Sequence, residues 1–255
     1  MSKKLLAVSG IAVYVFLYLP LVVVVAYSFN NSKLNAEWVG FTWHWYRVLL
    51  SDDTMLKAAG NSLLIALTAS LASTVLGTMA GYALYRYKLK LLPVLVMAPL
   101  AIPEILVGVS LLIFFVAINL TLGLLSIMLS HIAFCVGFVA IVVRSRLSGM
   151  DESLPEAARD LGATPFQAFR LVTLPLIAPG IIAVALLAFT LSIDDFVITF
   201  FTAGVGASTL PLQIYSMIKI AVTPEVNAIS TLLMLLTLFL IVVASRLSPD
   251  SIRGR

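Results

Sequence analysis

Repeated apolar runs, each long enough to cross a bilayer, leave this chain few ways to fold. About 20 consecutive apolar residues match the hydrocarbon thickness of a membrane, and residues 5–27 already exceed that length. Further runs at 61–85, 93–118, 124–143, 176–203 and 225–244 raise the expectation to six spans. With 61% hydrophobic and only 11% charged residues, the 255-residue chain lies outside the range of soluble domains. Inside lipid each backbone amide must be satisfied within its own segment, and helices do this. The expected fold is therefore an all-α membrane protein of six transmembrane helices forming a single domain over residues 1–255.

The first run could be confused with a signal peptide, whose apolar region is only about 7–15 residues long. Its greater length, and the lack of a small-residue cleavage site after it, favour a retained helix. The segment 29–57 gathers Trp38, Trp43, Trp45 and Tyr46. Aromatics collect in this way at a membrane boundary, and a docking surface for a soluble partner is the sharper alternative. Gly77 and Gly81, with Ser70 and Ser73 nearby, form a small-residue stripe suited to close helix contact. Pro93, Pro99 and Pro103 break up the third run, and Glu104 stands beside the last of them. Residues 210–220 have the character of an interfacial or re-entrant helix.

Six spans place both termini on one side. Twelve of the sixteen Lys and Arg residues fall on that side, among them Lys3, Lys4, Arg86, Arg144 and Arg246. Only Lys33, Arg47, Lys57 and Lys219 fall opposite. The positive-inside rule then makes the termini and the polar loop 144–175 cytoplasmic. In that loop Ser153 and Glu156 have the spacing of a capping box, and Gly162 suits a left-handed helix stop. Thr164, Pro165 and Gln167 then start a second helix with another capping box. Helices this short do not persist alone in water, so they need something to dock on.

A carboxylate at the bilayer centre costs roughly 2.5–3.5 kcal/mol on insertion scales. Asp194 and Asp195 lie deep in the fifth run, and Glu104 sits at the interrupted third. On helical spacing Ser192, Asp195, Thr199 and Thr202 share a face, while Asp194 projects about 100° away. Three acids without intramembrane Lys or Arg point to an attraction for cations along a watered path. The competing reading has them protonated or bonded to neighbouring helices. Glu225, next to Pro224, reads as a first-turn helix acid.

Other chemistries fit poorly. His131 and Cys135 share a helix face but are too few for a tight metal site, so they read as a core pair. Ser110 with His131 lacks an identifiable oxyanion hole for a protease. No G-x-x-x-x-G-K-[ST] phosphate loop occurs, so the chain is not expected to hydrolyse ATP. The helix-turn-helix at 153–175 carries Glu156 and Asp160 on its first helix, which opposes nucleic-acid binding. The single cysteine excludes a disulfide framework.

Glu156-Ala157-Ala158-x-x-x-Gly162, followed after nine residues by Val172-x-Leu174-Pro175, resembles the EAA loop of ABC importer membrane subunits. The family often has Ile where Val172 stands. Six spans with this loop before the fifth resemble the type I importer permease fold. The stretches Leu191–Asp195, Leu210–Met217, Thr223–Ala228 and Gly40–Tyr46 look like the second permease subunit of spermidine/putrescine importers. This resemblance implies a heterodimer with a similar permease, two cytoplasmic ATPases that use ATP and magnesium, and a periplasmic or extracellular binding protein. It also implies a bacterial inner-membrane location and no cofactor held by this chain itself. Glu156, Ala157, Ala158, Asp160, Gly162, Ala163, Leu174 and Pro175 would then couple to the ATPase. Glu104, Asp194, Asp195, Ser192, Thr199 and Tyr215 would line the substrate path. An importer of another small solute, an ion-coupled carrier working without an ATPase, and a membrane anchor or sensor remain the alternatives.

Overall fold

The structure is a computed structural model and describes residues 3–32, 37–87 and 90–247. Lys33, Lys88, Arg253 and Arg255, which entered the charge count, lie outside the described residues. Among those described, ordered structure is helical apart from an isolated antiparallel bridge between Asn30 and Phe41. Five helices are each long and apolar enough to cross a membrane, and a bent pair brings the number to six. The chain divides into two compact units, residues 1–58 with 210–236 and residues 59–209 with 237–255.

The first unit contains α1 (Lys3–Tyr27) and α2 (His44–Ser51). Helix α1 exposes apolar side chains all round, as a lipid-facing span does. Beyond it the aromatics of the 29–57 segment close into a knot. Phe29 stacks on Phe41 at 5.1 Å and meets Trp43 edge-on at 4.8 Å. Buried Asn30 is the polar centre: its side chain bonds Glu37 O and Val39 N, and its carbonyl accepts from Trp45 Nε1 at 2.8 Å. Residues 53–58 begin α3 (Asp53–Arg86), where Asp52 Oδ1 accepts the Thr54 amide at 2.8 Å. The unit also holds α11 (Leu210–Ile218) and the first part of α12 (Pro224–Leu247), with Glu225 in its first turn.

In the second unit α6 (Leu124–Ser148) packs along α9 (Leu174–Ile193). Phe134, Val139, Val143 and Leu147 meet Ile177, Val184 and Ala188 in the core. The small-residue stripe of α3 lies against α6. A Cβ built on Gly77 would stand 2.5 Å from Val139 Cβ, and one on Gly81 would stand 2.7 Å from Ala140 O. Ser70 donates to Ala185 O at 2.6 Å, a polar contact of the kind that ties spans together.

The third apolar run is two helices, α4 (Leu92–Ala101) and α5 (Glu104–Ala117), bent by 113°. Pro103 sets the break, because a residue before proline is pushed out of the helical region, and Ile102 sits at φ −91°, ψ 136°. Helix α5 ends on Asn119, whose φ of 57° supports a Schellman closure with Leu120 N bonded to Phe115 O at 2.8 Å.

Two expectations need correction. The second helix of the polar loop does not stand apart from the fifth span: α8 (Pro165–Ala168) runs through a π-helical turn at Phe169–Thr173 into α9. Pro175 supplies no amide to this stretch, and the widened turn before it accommodates the missing bond. Nor is 176–203 one continuous helix. It breaks after Ile193 and resumes as α10 (Val197–Thr202).

Candidate functional site

Two regions of the second unit bring polar groups together inside an otherwise apolar chain. One is the loop, where α7 (Ser153–Asp160) follows α6. Ser153 is the first helical residue rather than the cap, and the expected box with Glu156 does not form. Asp151 takes over, its Oδ1 accepting the Ser153 amide at 3.0 Å. Asp151 thereby takes the amide that the Glu156 side chain would have accepted in the box, and the helix starts one residue earlier than the serine signal implies. That backbone bond, with help from the Ser153 hydroxyl, holds the Asp151 carboxyl below its ordinary range.

The far end of α7 follows the sequence expectation. Gly162 has φ +92°, and the Schellman pair is complete, with Ala163 N to Ala158 O at 3.0 Å and Gly162 N to Arg159 O at 2.9 Å. Thr164 and Gln167 then bond reciprocally, at 2.8 and 3.3 Å. The loop thus carries its caps within itself, as a rigid part must.

Its outer surface is unusually apolar. Leu161 is 90% exposed, and Phe166 and Leu171 are 69% exposed. Glu156, Ala157, Asp160, Gly162 and Pro175 are exposed, while Ala158, Ala163 and Leu174 are partly covered. The end of α3 grips the inner side of the loop. Tyr85 Oη donates to Glu152 Oε1 at 2.6 Å, and Tyr82 meets Phe169 edge-on at 4.9 Å. Between them lies a cleft of about 260 Å³, also lined by Arg86, Met150 and Arg159.

The second region is the break between α9 and α10. A broken helix leaves amides without partners, and Asp195 supplies them. Its carboxylate accepts Thr199 N and Thr199 Oγ1, both at 2.8 Å, and Ile198 N at 3.4 Å. His131 of α6 comes within 3.2 Å of the same carboxylate through Nε2, and its Nδ1 lies 2.7 Å from Ser192 Oγ. Ser192, Asp195 and Thr199 therefore converge around His131, which is buried together with Cys135 as the core reading expects but holds polar partners of its own. Cys135 points its Sγ at Ala188 O, at 3.7 Å. The clue available in the sequence was that an isolated intramembrane histidine and an intramembrane aspartate each call for a partner.

Asp194 behaves differently from its neighbour. It is exposed, at the break that leads into α10. Glu104 opens α5 just after the Pro103 break and is itself exposed. Helix α5 rests on α10, where a Cβ on Gly108 would stand 2.8 Å from Phe201 Cδ2. Two broken spans thus meet, each with an accessible carboxylate at its break. Tyr215 belongs to the first unit, where Lys219 Nζ lies 4.7 Å from its ring centroid. Among the described residues, no group of three His, Cys, Asp or Glu is arranged to hold a metal ion.

Residues 73–250 match the family model described as the inner membrane component of binding-protein-dependent transport systems. The spermidine/putrescine transport system permease PotC of Escherichia coli K12 is 39% identical over 246 residues, covering 95% of this chain and 93% of that protein. The putrescine transport system permease PotI of the same strain is 45% identical over 231 residues, covering 87% and 82%. Among solved structures, a bacterial ABC transporter that imports the acidic polysaccharide alginate aligns with a TM-score of 0.73 at 18% identity, covering 98% of this chain and 95% of that one. An inward-facing methionine ABC transporter aligns at 0.65 and 23% identity, covering 78% and 96%. At such identities these two likenesses concern the fold.

Proposed function

Because the chain belongs to the family of binding-protein-dependent transport system inner membrane components, we propose that it is one permease subunit of an ATP-driven importer of polyamines such as spermidine and putrescine. The carrying observation is identity of 39–45% to permeases of that substrate class over 87–95% of the chain. The pair of exposed acids at two broken spans supports the same class. A flexible chain carrying several ammonium groups is met by carboxylates that can replace its water one charge at a time, and weakly enough to let it go.

In this reading the chain pairs with a similar permease, and two cytoplasmic subunits bind and hydrolyse ATP. A soluble binding protein delivers the solute from outside. Both termini and the 144–175 loop face the cytoplasm, following the excess of Lys and Arg on that side. The exposed Leu161, Phe166 and Leu171 on the self-capped loop give an ATPase an apolar surface to hold. Glu156, Ala157, Ala158, Asp160, Gly162, Ala163, Leu174 and Pro175 lie on the loop or its junction with α9. Movement of the loop is passed to α9 through the π-helical turn, and to α3 through Tyr82 and Tyr85.

Glu104 and Asp194 would meet the ammonium groups directly. Asp195, Ser192 and Thr199 act behind them, since their polar atoms are engaged across the break. Tyr215 offers an aromatic face of the kind that attracts ammonium, as its contact with Lys219 illustrates.

The test is uptake by the complete assembly in proteoliposomes. Labelled spermidine or putrescine should accumulate only with both binding protein and ATP present. Preference for an amino acid over polyamines would overturn the solute class. Uptake by the purified single chain under a proton gradient, without ATP, would replace the importer reading with that of a carrier.

A further inference from the structure

The acids at the breaks account for Glu104 and Asp194 but leave His131 without a task. It is 3% exposed, among the most enclosed polar side chains of the second unit. Enclosing an ionisable ring in a membrane span is costly, so its contacts indicate what it holds.

Those contacts fall on both sides of the α9–α10 break. On the α9 side Ser192 Oγ lies 2.7 Å from Nδ1. On the α10 side Asp195 Oδ2 lies 3.2 Å from Nε2, and Thr199 Oγ1 lies 2.9 Å from the same nitrogen. With Nε2–H donating towards Asp195 and Thr199, Nδ1 is left to accept the Ser192 hydroxyl. One ring, carried on unbroken α6, therefore spans the gap and ties the last turn before it to the first turn after it. Asp195 alone can cap α10, but capping does not set the direction in which α10 leaves α9. A third element bonded to both does.

That direction decides where Asp194 goes. It is the residue between Ile193, which is buried, and Asp195, which is held inward. With its two flanks fixed, Asp194 is left facing out at the head of α10, while Glu104 opens α5, the helix packed on α10. We infer that His131 is a positioning residue of the translocation path, bridging the α9–α10 break so that Asp194 stays exposed at the head of α10. This rests on the importer reading for its purpose but not for its geometry.

The geometry is tested by thiol accessibility. In the full assembly, with Cys135→Ala throughout, Asp194→Cys is labelled with a cationic, membrane-impermeant methanethiosulfonate. Labelling should slow about tenfold when His131→Leu is added, the size of a coupling through a shared network. His131→Gln keeps a donor and an acceptor and should label within about threefold of the parent. His131→Asn has a shorter reach and should fall between, which also serves if the leucine chain does not assemble. Equal labelling in all chains, or glutamine no better than leucine or asparagine, would overturn the role.

With native Asp194, His131→Leu should lower the maximal uptake rate and leave the half-saturating concentration of loaded binding protein unchanged. A raised half-saturating concentration with an unchanged maximal rate would count against a role in the path. Absence of polyamine uptake by the parent assembly would remove the functional reading while leaving the labelling result intact. Normal uptake with unaltered labelling would remove only the part assigned to His131.

Discussion

Replacing Gly162 tests whether the loop must be rigid to do its work. A Cβ built there meets nothing within 4 Å, so crowding contributes nothing to the cost. What remains is the backbone: at φ +92° a side chain is strained, by roughly 1–3 kcal/mol for residues other than glycine. Valine, branched at Cβ, belongs at the upper end and asparagine at the lower. Relaxing the strain would sacrifice the two closing bonds at 2.9 and 3.0 Å, each worth about 1 kcal/mol net. For valine the two costs are comparable, so α7 would lose about 2 kcal/mol whichever course it takes. Eight-residue α7 has little stability of its own to offset this.

A loss of about 2 kcal/mol raises the opened fraction of the loop roughly thirtyfold. Limited proteolysis of the loop in inside-out vesicles reads that fraction. Gly162→Val should be cut about thirtyfold faster than the parent and Gly162→Asn no more than severalfold faster. The valine chain should also import less solute per ATP hydrolysed while remaining in the membrane. Equal cleavage of the valine and asparagine chains would refute the conformational argument, and full coupling in a readily cut valine chain would refute the need for rigidity.

Other substitutions probe the remaining contacts. Asp151 is held below its ordinary value of 3.8 by the Ser153 amide. Its contribution is therefore present above that value and lost as pH falls through the lower folded one. Loop cleavage should rise on acidification through that window in the parent, and Asp151→Asn should remove this component of the pH dependence. Thr164→Ala should weaken the start of α8 by about 1 kcal/mol, seen as faster cleavage without loss of insertion. Gly77→Ala forces a Cβ to within 2.5 Å of Val139 Cβ and should destabilise the detergent-solubilised protein by about 1–3 kcal/mol. Gly60→Ala, on the same helix with nothing within 4 Å, should instead be neutral or stabilising by up to about 1 kcal/mol. Similar melting of the two variants would show that the close approach of α3 and α6 is not what Gly77 provides.

What could be read in the chain and what could not divide along physical lines. The Thr164–Gln167 box and the Gly162 stop are made by residues within a few positions of each other, so local spacing was enough. The break at Pro103 also follows locally, since proline constrains the residue before it. The Ser153 box fails because the Asp151 carboxylate, two positions earlier, takes the Ser153 amide. The break after Ile193 has no proline or glycine to announce it. Hydropathy averages over 176–203 and runs straight through, and the groups at the break are held by His131 of α6, a partner distant in the chain.

Membrane residence, helical spans, and the Gly162 and Thr164–Gln167 caps of the 144–175 loop can all be read from the chain without its fold. Apolar run length and short-range hydrogen bonding settle these without reference to distant residues. It takes the packed helices to separate two adjacent aspartates, one engaged inward by His131 from 64 positions earlier in the chain and the other left exposed. A buried charge takes whichever partner the packing brings near, and packing is not written in any one stretch of the chain.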